Sequence, residues 1–404
     1  MSVPKTISGQ TTILYVHPSD ELYGSDRVLL QLVSGLDRTQ FEPIVVLPSD
    51  IPYEGKLSAA LDQYQIKHYS IRMGVLRRRY LTPFGFLIYL YNLFYGIWRL
   101  NQLVSVHDVR LIHSNTSTVL GGAIVARLHG IKHVWHIHEI LKKPKWFGRI
   151  MCFFIRTFSH RIIAVSRAVA DPITIPKHQS KIGIVWNGID TKEFSIAVDG
   201  QSLRKHWGVK KNTVVIGIIG RISHWKGQEL FLKAAARATR KCKNTYFILV
   251  GDPVPGEEFR LAHLHRLIID LNIAKQTRII PFTDNISQIM RALDILVLPS
   301  TLPEALGLVI LEAMACTRCV IAAAHGGPWE AIEPAETGLL VPPNNVEALA
   351  AAMIELANDP ERRYAMGQKG RQRVVELFSL ANFRKKIIRI YDEILEEGKQ
   401  HQRP

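Results

Sequence analysis

Apolar positions recur along this chain in two rhythms. Short uninterrupted apolar runs, each closed by a turn residue, alternate with longer stretches in which apolar positions return every third or fourth residue. In the first half the runs predict strands at residues 13–17, 43–47, 111–113, 133–137, 161–165 and 181–185. The longer stretches predict helices between them. One carries Val28, Leu29, Leu32, Val33 and Leu36, with a cap expected at Ser25 or Asp26. The turn pair Asn187 and Gly188 interrupts the rhythm, which then restarts with strands at 214–220, 246–250, 278–281, 295–298 and 320–323 and a helix from Gln228. Such alternation implies parallel sheets with helices on both faces. At 404 residues the chain exceeds the usual size of one core. The expected class is α/β, with two doubly wound domains. No short-period repeat and no low-complexity tract breaks the pattern.

The most informative stretch is PSTLPEALGLVILEAMA, residues 299–315. The apolar run 295–298 breaks at Pro299, crosses a loop of small residues and re-enters a helical pattern at Leu308, Leu311 and Met314. That is strand, loop, helix. Gly307 lets a ligand approach the backbone at the helix start, where unpaired N–H groups and the positive end of the dipole favour an anion such as a diphosphate. Glu304 then sits in the loop and Glu312 in the helix. If both face the loop, each carboxylate can meet sugar or ribose hydroxyls on one side of that anion; the plainer alternative is two surface glutamates on an ordinary βα unit. The restart loop GRISHWKG, opened by Gly220, adds two cations. Arg221 follows a strand at its carboxyl end, where open α/β sheets bind ligands, and Lys226 precedes Gly227 at the next helix. An arginine grips a phosphate through two parallel hydrogen bonds and a lysine adds a point charge. Together they could stabilise a departing nucleoside diphosphate.

These residues carry a family resemblance. GRISHWKG, the pair Gly251 and Asp252, the strand ending in PS, and Glu304 to Glu312 with Gly307 between them resemble the retaining glycosyltransferases of family 4. ELYGSDRVL near the start, HIHE, AVSRAV around Ser166 and WNGID at the join are similar to the same family, so the match runs over most of the chain. The resemblance implies a GT-B fold: two Rossmann-like domains facing across a cleft, residues 1–188 for the acceptor and 189–380 for the nucleotide sugar, with a helix and tail at 381–404 crossing back to the first domain. It places Arg221 and Lys226 on the donor diphosphate and Glu312 on the ribose hydroxyls. Glu304, with the backbone around Leu306, Gly307 and Leu308, holds the sugar and the distal phosphate, and Gly220 belongs to the donor loop. Gly24 falls at the cleft mouth, and His138 in HIHE matches the histidine that approaches the transferring sugar. Two departures stand out. Leu306 precedes Gly307 where many relatives carry phenylalanine, and the first-domain loop has the single Gly24 where many have two glycines.

The implied mechanism is front-face substitution with retention, in which the leaving diphosphate helps deprotonate the incoming hydroxyl. The nucleoside-diphosphate sugar is the donor substrate, and neither a cofactor nor a metal is expected. The implied role is transfer to a glycan acceptor, lipid-linked, in cell-surface polysaccharide biosynthesis. A GT-B epimerase and a catalytically silent glycan or membrane adaptor are the alternatives.

Charge sharpens the picture through its placement. The net charge is +16, and residues 72–181 hold 17 Lys and Arg against 3 Asp and Glu, so one segment carries nearly all of the excess. Arg77, Arg78 and Arg79 precede the aromatic-rich residues 81–98, and Lys142, Lys143, Lys145 and Arg149 stand beside Trp146, Phe147, Phe153 and Phe154. Cations beside aromatics suit peripheral attachment to an anionic membrane surface. Pro83, Gly85, Asn92, Gly96 and Arg99 argue for a domain or interfacial helix rather than a transmembrane span. No nucleic-acid recognition module accompanies the charge, so nucleic acid is not an expected partner. The polar first ten residues and four cysteines point to the cytoplasm, with the inner face of the cell membrane as the place of attachment. His129, His133, His136 and His138 invite a zinc reading, but no Cys or second carboxylate nearby completes a shell. Cys316 and Cys319 read as small core residues.

Overall fold

The computed structural model describes residues 10–80, 82–142, 144–254 and 256–400, the side chains of Arg78 and of residues 398–400 excepted. Two compact units emerge: Met1–Trp186 together with Phe383–Pro404, and Asn187–Asn382.

The first unit is built on seven strands, β1 (Thr11–Val16), β2 (Phe41–Pro48), β3 (Lys67–Ile71), β4 (Val109–Asn115), β5 (Lys132–Ile137), β6 (Arg161–Ala164) and β7 (Ile182–Ile184). They are parallel, in the order β3-β2-β1-β4-β5-β6-β7. The second unit has six, β8 (Val214–Ile219), β9 (Thr245–Val250), β10 (Thr277–Ile280), β11 (Ile295–Leu298), β12 (Cys319–Ala323) and β13 (Leu339–Val341), in the order β10-β9-β8-β11-β12-β13. These are parallel too. Helices cover both faces of such a sheet, so its inner strands read as continuous apolar runs. Ile13, Leu14 and Tyr15 of β1 and all of β11 are buried accordingly. In each unit the strand order reverses beside the first strand, between β1 and β4 and between β8 and β11. A crevice opens at the carboxyl ends of the strands at such a switch point.

Two departures from the sequence pattern have plain causes. β3 and β13 were not signalled because both are edge strands: KHYSI is half polar, and β13 is only three residues long. The first helix begins at Gly24, with Tyr23 rather than Ser25 or Asp26 at its cap; Asp26 instead reaches back to accept the Tyr23 N–H at 2.9 Å. The aromatic stretch forms the 24-residue helix Pro83–Val106, capped by Thr82, whose hydroxyl accepts the Gly85 N–H at 3.0 Å. Its Gly85, Asn92 and Gly96 lie on the inward face, and a β-carbon on Gly96 would stand 2.9 Å from the Met73 α-carbon. No helix among the described residues is long and apolar enough to cross a membrane.

The helix Leu380–Gln400 contributes Phe383, Ile387, Tyr391 and Ile394, all buried in one stripe, to the core of the first unit. Each buried side chain of this size contributes about 1.5–3 kcal/mol. The Tyr391 hydroxyl meets His113 Nδ1 at 2.7 Å and the Tyr15 hydroxyl at 3.1 Å, and Arg384 donates to the Gln31 carbonyl.

Candidate active site

In the second unit two loops converge at the switch point. The first leaves β8 through Gly220 and runs to Gly227. Gly251, at the end of β9, has a positive φ of 142°, and a β-carbon there would stand 2.1 Å from the Gly220 carbonyl oxygen, so the two strand ends close up backbone to backbone. Arg221 follows, its side chain exposed and its carbonyl held by Gln228 Nε2 at 3.0 Å. Gly227 (φ 80°) abuts the carbonyl of Pro299 in the second loop; a β-carbon would stand 2.2 Å from that oxygen. Thr301 N–H donates to the Trp225 carbonyl at 2.7 Å. The loops are thus stitched through their backbones, and this holds the side chains they carry in register.

The main polar cluster follows from that stitching. Lys226 Nζ lies 2.7 Å from Glu304 Oε1 and sits over the Trp225 ring, 4.2 Å from its centroid. Ser300 donates to the same carboxylate oxygen at 2.5 Å, and Glu304 itself is almost wholly buried. Leu306 is buried as well. Gly307 (φ 84°) caps the helix Leu308–Ala315 and accepts the Ile310 N–H at 2.9 Å. Glu312, half-buried, lies one turn into that helix.

In the first unit three polar residues occupy the carboxyl ends of three adjacent strands: His17 after β1, Asn115 at the end of β4 and His138 after β5. His17 Nε2 lies 2.6 Å from Asp26 Oδ1, His17 Nδ1 lies 2.9 Å from Asn115 Nδ2, and Asn115 Oδ1 lies 2.9 Å from His138 Nε2. Burial pushes the Asp26 carboxyl up, but its interaction with His17 and the bonds from Ser19 and Tyr23 outweigh that and hold it below the usual carboxylate range. Burial drives His138 down to about 3, so its ring is neutral at physiological pH. Gly24 is the first, exposed residue of the following helix.

The histidines within β4 and β5 are core groups. His133 bonds Ser114 at 2.9 Å and is pushed by burial down to about 3, while His113 and His136 are held well below the ordinary value for the same reason. His129 instead bonds Asn101. Among the described residues no three His, Cys, Asp or Glu side chains are placed to hold a metal ion. Cys316 and Cys319 are buried free thiols, each pushed up to about 12 by burial and therefore unreactive.

The basic segment divides. Arg77 turns inward, bonding Asp50 Oδ2 at 3.1 Å and the Pro18 carbonyl at 2.9 Å and lying over the Tyr53 ring, so it is an internal ion-pair partner and not a surface cation. This corrects the assignment made from its neighbours in sequence. Arg79, Lys142, Lys145 and Arg149 are exposed. Arg78 keeps only its backbone description, and Lys143 lies outside the described residues. Phe154 also turns inward, onto Trp135 and Phe158, whereas Trp146, Ile150 and Phe153 are exposed.

Known proteins resemble this chain. The model of Glycosyltransferase Family 4 matches residues 23–193, and that of Glycosyl transferases group 1 matches residues 199–373. Alpha-maltose-1-phosphate synthase from Mycolicibacterium smegmatis is 30% identical over 318 residues, which cover 73% of this chain and 82% of that protein. The chain belongs to glycosyltransferase family 4. Among solved structures, HepE from Anabaena in complex with UDP-glucose matches the family 4 enzyme with a TM-score of 0.80 and 26% identity, over 95% of this chain and 99% of that one. Sucrose-phosphate synthase from Thermosynechococcus elongatus, 20% identical with a TM-score of 0.76 over 96% of this chain and 100% of that one, shares the fold. The two sheets are those of the GT-B fold, and this family 4 enzyme is a retaining glycosyltransferase that uses nucleotide sugars.

Sequence reasoning missed several supports of the family 4 enzyme's two converging loops. Gly326 pairs with Glu304 in a parallel bridge, and the Gly327 N–H donates to the Glu304 carbonyl at 2.8 Å. A β-carbon on Gly326 would stand 2.3 Å from that carbonyl oxygen, and one on Gly327 equally close to the Leu306 α-carbon. His325 Nε2 meets the Ser300 carbonyl at 2.8 Å. The signal was the double glycine of AHGGPWE directly after β12. Asp26, His17 and Asn115 gave no signal, because their meeting depends on strand order.

Proposed function

We propose that this glycosyltransferase holds its donor at the switch point of the second unit and transfers the sugar to a hydroxyl of a lipid-linked glycan in cell-surface polysaccharide biosynthesis. The observation that carries the donor half is the Lys226–Glu304–Ser300 cluster between two stitched loops, beside a helix start capped by Gly307. In this reading Arg221 and Lys226 neutralise the diphosphate, joined by the N–H groups at the start of Leu308–Ala315. Glu312 accepts from the ribose hydroxyls, and Glu304 from a hydroxyl of the sugar. Gly220, Gly307 and the backbone at Leu306 and Leu308 let the ligand approach main-chain atoms. His138 contacts a hydroxyl of a substrate sugar.

Charge accumulates on the leaving diphosphate and on an oxocarbenium-like sugar as the bond breaks, so donors already aimed at the diphosphate lower the barrier without reorganising. A leaving oxygen then takes the proton of the acceptor hydroxyl on the same face. HepE is described with UDP-glucose, which makes UDP-glucose the first donor to test. Thermal shift over a panel of nucleotide sugars, followed by an assay of nucleotide release for the best binder, tests this reading; a panel without any stabilising member refutes it.

A second observation favours a membrane-bound acceptor. The helix Pro83–Val106 exposes Phe84, Leu87, Tyr91, Phe94 and Trp98, and the first unit also exposes Arg79, Lys142 and Lys145. Exposed aromatics with cations match the chemistry of an anionic lipid surface.

A further inference from the structure

We propose that Asp26, His17 and Asn115 are positioning residues that fix the tautomer of His138, leaving its Nδ1 bare to accept a hydrogen bond from a hydroxyl of a substrate sugar. The inference rests on the reading of His138 as a substrate contact and adds how the fold prepares it. Its starting point is the carboxylate. Asp26 is an anion with acceptors only: Oδ1 takes His17 Nε2 and Ser19 Oγ, and Oδ2 takes the Tyr23 N–H. His17 Nε2 must therefore carry a proton.

Polarity then passes outward one group at a time. The Asn115 amide presents its NH2 to His17 Nδ1 at 2.9 Å, which makes Nδ1 the acceptor. The same amide has its oxygen left for the other side, where His138 Nε2 stands 2.9 Å away. An oxygen accepts only, so His138 Nε2 bears the proton and Nδ1 does not. Because the ring is neutral, Nδ1 offers a lone pair.

Sheet topology is what lets a carboxylate on the first helix govern a histidine just after β5. The strands run in the order β1-β4-β5, so His17, Asn115 and His138 are neighbours at the carboxyl edge although they lie about a hundred and twenty residues apart in sequence. His17 and Asn115 are buried and His138 is partly open. Two closed links thus lead to one accessible end. The alternative arrangement is well defined: were His17 protonated at both nitrogens, the amide would turn over and His138 would carry its proton on Nδ1, as a donor.

Long-range proton–nitrogen correlation on the full chain labelled with 15N-histidine reads the tautomer directly, with the His138 signals assigned by their loss in His138→Gln. Wild type is expected to show Nε2 protonated and Nδ1 bare. Asn115→Leu is expected to give mixed tautomers and, with UDP-glucose or the best donor of the panel, turnover lower by about tenfold at a donor KM within about twofold. Asn115→Asp keeps an acceptor facing His138 and should restore the single tautomer. Should Asn115→Leu not fold, Asp26→Asn carries the same test, since an amide no longer compels His17 to donate. A proton on Nδ1 in wild type, or an unchanged His138 tautomer in both variants, overturns the relay. Normal turnover of His138→Ala overturns the substrate contact on which the inference rests, and is distinguished by an unaltered wild-type tautomer.

Discussion

Lys226 Nζ lies 2.7 Å from Glu304 Oε1, joining residues 78 positions apart across the two loops that follow β8 and β11. Removing one partner leaves the other poorly solvated, so Lys226→Met and Glu304→Gln should each destabilise the protein, by about 2 kcal/mol given the partial exposure of the lysine. The double variant should recover most of that loss in chemical denaturation. It should not recover turnover, which is expected to fall at least about a hundredfold because the proposed function sets the cation against the leaving diphosphate. Recovery of turnover alongside stability would make the pair purely structural.

Gly227→Ala tests the stitching of the loops rather than their charges. The added carbon meets a backbone oxygen and the residue has a positive φ, so a loss of about 2–3 kcal/mol in unfolding free energy is expected, with weaker donor binding. An unfolding midpoint equal to that of wild type would mean that the loops do not need this contact.

Glu312→Ala should raise the nucleotide Kd about tenfold in calorimetry, equivalent to roughly 1.4 kcal/mol, through loss of the hydrogen bonds proposed to the ribose. Unchanged affinity would remove Glu312 from the donor contacts.

The buried histidines set an acid limit. His133 titrates near 3 in the folded protein and near 6.5 when unfolded, because burial disfavours its charged form. Below about pH 6.5 the unfolded chain takes up a proton that the folded chain refuses, so the stability present at neutral pH is lost as pH falls towards 3, by about 1.4 kcal/mol per unit for each such group. His138 acts in the same sense, and Asp26, whose carboxyl is held low, adds to the loss at the acidic end. The urea midpoint should drop steeply between pH 7 and pH 4. A flat profile over that interval would contradict the burial of these rings.

Arg77 and the outward cations should separate cleanly. Arg77→Glu places a carboxylate against the buried Asp50 and is expected to cost about 3 kcal/mol of stability. Arg79, Lys142 and Lys145 changed together to Glu should leave folding intact and weaken sedimentation with anionic liposomes, each cation near the surface being worth about 1 kcal/mol. Equal sedimentation at low salt would point to a water-soluble acceptor.

Inner strands and loop glycines were legible in the sequence because their physics is local. A parallel strand buried on both faces must be an apolar run, and a loop that brings backbone to a ligand needs glycine where φ is positive, as at Gly227 and Gly307. What escaped was set by tertiary pairing. β3 and β13 are edge strands with little apolar content, Arg77 looked like its exposed neighbour Arg79 until Asp50 claimed it, and the Asp26–His17–Asn115–His138 chain requires the crossing order of β1, β4 and β5. Gly326 and Gly327 stood in the sequence as a turn signal without a partner.

The helix Leu380–Gln400 imposes an order on biosynthesis. Residues 187–382 are contiguous, so the second unit has its whole sheet available before residue 383 leaves the ribosome. The first unit, translated earlier, is finished later: until Phe383, Ile387, Tyr391 and Ile394 arrive, the groove lined by Tyr15, Phe41 and His113 has no occupant. A nascent chain therefore carries a second half with its whole sheet and an open first half that still lacks this helix. Termination upstream of residue 383 would make that open state permanent.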